Sequence, residues 1–109
     1  MENFIKIAKD FSATPGARYR NDGRFSGEEF YETILQKKFE SALKNKLNLT
    51  IDLDGTYGFA TSFLNEAFNR LAIDFGADTV WKNITIISSE EPYLIEEIKE
   101  YIYDAQATH

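Results

Sequence analysis

Residues 47–54 read LNLTIDLD, and no other stretch of the chain restricts its fold so tightly. Leu47, Leu49, Ile51 and Leu53 alternate strictly with Asn48, Thr50, Asp52 and Asp54. Successive side chains of a strand point to opposite faces, so this pattern predicts a strand with one buried face. Ile51 and Leu53 should be buried, and Thr50 and Asp52 more exposed. A turn with two glycines, Gly55 and Gly58, follows. A helix is then predicted over 62–75, with Phe63, Leu64, Ala67, Phe68, Leu71, Ala72 and Phe75 on one stripe and Gly76 as its stop.

The remaining elements extend this unit in both directions. FIKIAK (4–9) predicts a strand, and Thr14-Pro15-Gly16 has the composition of a type II turn leading by a hairpin into ARYR (17–20). Ser26 followed by Glu29 forms a capping box for a helix over 27–43. That helix is apolar at Phe30, Ile34, Leu35, Phe39, Ala42 and Leu43, with Lys37, Lys38 and Lys44 toward its carboxyl end. NITIISS (83–89) is a nearly continuous apolar strand, expected to be more deeply buried than 47–54. Pro92 opens a last helix with Leu94, Ile95, Ile98, Tyr101 and Ile102 on its stripe. The order β-β-α-β-α-β-α predicts an α/β fold in one domain, 1–109. Its mixed sheet should have about four strands, with the opening hairpin antiparallel and helices mainly on one face.

Composition removes several kinds of chemistry. There is no cysteine, so disulfides, thiolate metal sites and cysteine nucleophiles are excluded. The single histidine, His109, is the last residue and is assigned no role. A formal net charge of −6 argues against general nucleic-acid binding. No apolar run approaches the roughly 20 residues that cross a bilayer, and a cytoplasmic protein without cofactor or metal is expected.

The candidate site residues each admit a plain structural reading beside the functional one. Thr61 and Ser62 stand where a helix begins; they either cap it or offer a hydroxyl that a phosphate could occupy, favoured by the helix dipole. Asp52 and Asp54 project from one strand face, which suits Mg²⁺ or acid–base work, or simply a solvated surface. Glu66 falls early in the helix, where an acid is favourable without any function. Arg18, Arg20 and Arg24, three of the four arginines, lie within seven residues beside Gly16, Gly23 and Gly27. They suit an anionic small molecule such as a nucleotide, or ion pairs with the chain's own acids. Neither a P-loop nor a dinucleotide spacing is present. Tyr57 and Trp81 fit either core or rim.

Three groups of residues carry a family resemblance. They are Pro15-Gly16-x-Arg18; Asp22-Gly23-x-x-Ser26-Gly27-x-x-Phe30; and Gly58-Phe59-x-x-Ser62-Phe63-x-x-Glu66-Ala67-Phe68. Together they resemble the STAS-like family of bacterial proteins, related to the STAS domains of anti-sigma-factor antagonists, from the first strand into the strand at 83–89. The resemblance implies a non-enzymatic regulatory module that docks a kinase-like, ATP-binding protein or another regulator. Gly58, Phe59, Thr61, Ser62 and Glu66 would form the docking surface, with Ser62 as the phosphorylated residue. A homodimer is also compatible with it. Regulatory STAS proteins usually read Asp-Ser-Ser-Gly at this point, whereas this chain reads Ala60-Thr61-Ser62-Phe63. The acid before the hydroxyls and the glycine after them are both replaced.

Overall fold

The computed structural model describes residues 3–107. Three parallel strands, β1 (Phe4–Lys6), β2 (Leu49–Asp52) and β3 (Ile84–Ile87), form a sheet in the order β1-β2-β3. Ile5 sits opposite Ile51, and Ile51 opposite Ile86, so one row of apolar residues crosses the sheet on its core face. Ile51 and Leu53 are buried while Thr50 and Asp52 keep partial exposure, as the alternation predicts. On the same face as Thr50, Phe4 and Thr85 are exposed, so helices cover one side of the sheet.

The predicted opening hairpin does not form, and the sheet is parallel rather than mixed. The first strand ends at Lys6 because Ile7–Asp10 turns into a short helix, α1, whose Asp10 carboxylate accepts the Lys6 N–H at 2.8 Å. Residues 12–26 then run as a loop with a 3₁₀ turn at Arg20–Asp22, and ARYR is no strand. Its backbone is held by the helix that follows: Gly27 N–H donates to Ala17 C=O and Glu28 N–H to Arg18 C=O. These groups would otherwise serve a ladder.

Ser26 caps that helix, accepting the Glu29 N–H at 3.0 Å. The helical run comprises α2 (Gly27–Phe30), a π-helical turn (Tyr31–Leu35) and α3 (Gln36–Lys44). The wide turn shifts the phase of the inward stripe. Tyr31 becomes fully buried beside Phe30, while Ile34 and Leu43 of the expected stripe remain half-buried. Leu47 is also turned out, 45% exposed, because β2 begins only at Leu49.

Two long helices complete the core. α4 (Thr61–Phe75) ends at Gly76, whose φ of 95° suits glycine. A short helix unannounced by the periodicity, α5 (Ala77–Lys82), links it to β3. α6 (Leu94–Ala107) starts just after Pro92 and buries Leu94, Ile98, Tyr101 and Ile102. β3 is less buried than β2, contrary to expectation: Ile84 is buried, but Ile86 and Ile87 are only partly so, since β3 is an edge strand. No helix of the described residues is long and apolar enough to cross a membrane. His109 lies outside the described residues.

Candidate functional site

The turn between β2 and α4 lies at the carboxyl end of the central strand and is clamped on both sides. Asp52 Oδ1 accepts the Asp54 N–H at 2.9 Å, and Lys6 Nζ donates to Asp52 Oδ2 at 3.2 Å and to the Asp54 C=O at 3.0 Å. The Asp54 carboxylate accepts the N–H groups of Ser89 (3.1 Å) and Glu90 (2.9 Å), and Glu90 Oε1 accepts the Gly55 N–H at 3.0 Å. The Glu90 N–H, followed by Ser89, holds the Asp54 carboxyl below its ordinary value of 3.8. Asp52 and Asp54 thus staple β1, β2 and the segment after β3 at one end of the sheet.

Beyond the staple the chain projects. Gly55 takes a φ of 96° and Gly58 a φ of 133°, and the Tyr57 N–H donates to Ala13 C=O at 2.9 Å. With its backbone held on both flanks, Tyr57 stands 90% exposed. A Cβ at Gly58 would meet nothing within 4 Å, so the space beside Tyr57 is open. The sequence left Tyr57 undecided between core and rim, although its position between two glycines of a turn was the available signal. Phe59 turns the other way and packs on Phe63, ring centroids 5.9 Å apart.

The start of α4 answers what the Thr-Ser pair does. Ala60, not a hydroxyl, occupies the N-cap with φ −72° and ψ 137°, and no side chain caps the helix. Thr61 is exposed and Ser62 half-buried, one and two residues inside the first turn. The Phe63 and Leu64 N–H groups reach the Ala60 C=O, and no acid stands in the first turn. The plain capping role is therefore not the one these hydroxyls play. Burial and then Glu97 push the Tyr101 phenol above its ordinary value, and the nearby Thr61 hydroxyl acts in the opposite direction.

The structure separates the other candidates. Glu66 is only 8% exposed; its carboxylate pairs with Arg70 at 3.4 Å, and its Cβ faces Gly27. Arg70 also reaches Glu32 at 3.8 Å and lies over the Tyr31 ring at 4.9 Å. Burial, then the hydrogen bond to Asp74, pushes the Tyr31 phenol well above its ordinary range. Each arginine of the loop turns to a different neighbour. Arg20 pairs with Glu32 at 3.0 Å, Arg24 lies over the Phe25 ring at 5.1 Å, and Arg18 donates to Asn65 Oδ1 at 3.5 Å. Arg18 therefore meets α4 one turn beyond Ser62.

The second and third motif groups meet in space. Gly27 packs so closely on α4 that an added Cβ would lie 2.5 Å from the Phe63 C=O and 3.1 Å from the Glu66 Cβ. The Phe30 and Phe63 rings stack with centroids 5.6 Å apart. The model of one family, described as a STAS-like domain of unknown function (DUF4325), matches residues 26–94. That span begins at Ser26, so Pro15, Gly16 and Arg18 lie outside it. No curated protein and no solved structure matches the chain.

Proposed function

Because the chain belongs to the STAS-like domain family, we propose that it is a regulatory module that works by docking a protein partner, not by catalysis. The docking surface comprises the turn at 55–60 and the first turn of α4, with Tyr57 and Thr61 outermost, Gly58 and Ser62 half-buried beside them, and Phe59 bracing them from beneath. One observation carries this reading: Tyr57 stands 90% exposed on a doubly anchored turn that runs into an uncapped helix start. An aromatic ring on a held backbone binds with little loss of freedom, and tyrosine is favoured at interface centres. The conspicuous acids support binding over chemistry, since Asp54 is occupied with backbone donors and Asp52 with Lys6.

The partner is a kinase-like, ATP-binding protein, and Ser62 is the point at which binding is switched. Transfer of the γ-phosphoryl group of ATP to Ser62 Oγ, with ADP leaving, would put a dianion at the amino end of α4. The free first-turn N–H groups stabilise it there. Arg18, held at Asn65 one turn on, is the loop cation that shares the charge. The same dianion repels an acidic or apolar partner surface, so phosphorylation releases the complex.

A photo-crosslinking phenylalanine analogue in place of Tyr57 tests the surface in the native cell. Covalent capture of one protein from position 57, and none from an equally exposed position on α3, is the expected result. Equal labelling from both positions would remove this turn as the interface.

A further inference from the structure

The two edges of the sheet are finished differently. At β1 the Lys6 N–H is claimed by the Asp10 carboxylate, the strand is three residues long, and it turns at once into α1 with Lys9 and Asp10 alongside. Short strands and flanking charges are how natural sheets close an edge. β3 is nearly as short, but its flanking charges, Lys82 and Glu90, stand two and three residues beyond its ends, and among the described residues no side chain claims an outward N–H of the strand. Its residues Ile84–Ile87 read Ile-Thr-Ile-Ile, without charge, proline or glycine. The Leu49 N–H donates to Asn83 C=O at 2.9 Å and the Leu53 N–H to Ile87 C=O at 2.8 Å. Alternate residues of a parallel strand bond to the same neighbour, so 83, 85 and 87 face β2. The main-chain groups of Ile84 and Ile86 therefore point away from the sheet, and among the described residues nothing bonds to them.

We propose that the outer edge of β3 is a self-association surface, on which β3 of a second copy adds antiparallel about a two-fold axis. Charge selects this occupant and this direction. Lys82, exposed and without an ion pair among the described residues, stands at one end of β3, and Glu90 and Glu91 stand beyond the other. An antiparallel pairing centred on Ile86 sets position 82 of one copy toward position 90 of the other, and the two-fold axis repeats the contact. A parallel pairing would instead bring like ends together, acids on acids, in a chain of net charge −6. The six-stranded sheet so formed satisfies the outward groups of both strands.

Amide hydrogen exchange and sedimentation of the unmodified protein test this across a wide concentration range. Mass should rise from 12.5 kDa toward twice that value. The Ile84 and Ile86 amides should become protected in step with mass, while Thr85 and Ile87 stay protected throughout. Thr85→Lys, at an exposed position on the open face, adds an edge charge and should abolish the concentration dependence. Lys82→Glu should weaken the dimer several-fold at low salt, and Lys82→Glu with Glu91→Lys should restore it. A protein that stays monomeric, or a dimer whose Ile84 and Ile86 amides still exchange freely, would overturn the proposal. So would a dimer that Thr85→Lys leaves intact.

Discussion

Ala60 is the residue on which the site turns. A serine, aspartate or asparagine there would satisfy a first-turn N–H of α4, which alanine leaves open. Ala60→Asp should therefore raise stability by about 1 kcal/mol in denaturant unfolding; no gain would mean that the first turn is already satisfied. Ser62→Ala, removing a hydroxyl that caps nothing, should stay within about 0.5 kcal/mol of the parent. Asp54 behaves differently, since its carboxylate is held below its ordinary value by the Glu90 and Ser89 N–H groups. A depressed carboxyl stabilises the fold above the unfolded value of 3.8, and that contribution disappears as pH falls through the lower folded value. Acid titration followed by carboxyl NMR should place the Asp54 midpoint below 3.8 in the folded protein. Asp54→Asn should remove this component from the pH dependence of unfolding, whereas an unchanged acid profile would deny the staple its role.

The contact between α2 and α4 explains why two motifs far apart in the chain belong together. Gly27 lets the start of α2 lie against the Phe63 backbone, and Phe30 stacks on the Phe63 ring. Gly27→Ala should cost about 1–3 kcal/mol through forced separation of the helices, read as a lower denaturant midpoint with unchanged slope. A near-neutral effect would show that the helices part easily. Elements with a clean period were legible in the sequence: 62–75 became Thr61–Phe75, and the burial of Ile51 and Leu53 followed from alternation. Those governed by tertiary partners were not. Pro15 and Gly16 suggested a hairpin, yet the 17–18 carbonyls bond to the amino end of α2. The π-helical turn moved Tyr31 into the core against the straight-helix stripe, and α5 is too short to show a period. The hydroxyl pair was visible, but whether it capped α4 depended on a backbone conformation one residue earlier.

At the scale of the whole molecule, the protein is a one-sided sheet with its candidate site at the carboxyl ends of the strands. Asp52, Asp54, Lys6 and Glu90 lock that end, so Tyr57 and the start of α4 are presented on a fixed base. Arg18 joins them through Asn65, while Arg20 ties the loop to the π-helical turn at Glu32 and Arg24 stays within the loop over Phe25. Replacing Arg18 alone by Ala, which leaves the phosphate charge less compensated, should thus strengthen the release caused by Ser62 phosphorylation without unfolding the protein, and Arg24→Ala should leave it unchanged. Phosphorylated and unmodified protein, compared by calorimetric titration with the partner, read this difference.

The proposed switch requires Ser62 to face a partner rather than to hold the helix together. The direct measurement is calorimetric binding of the partner captured at position 57 by Ser62→Asp and Ser62→Ala, alongside their unfolding curves. Both variants should fold as stably as the parent or, for Ser62→Asp, more so by about 0.3–1 kcal/mol from the helix dipole. Ser62→Ala should bind normally and Ser62→Asp should lose at least ten-fold in affinity. Equal, parent-like binding by both variants would contradict the account and leave Ser62 as a surface hydroxyl of the first turn.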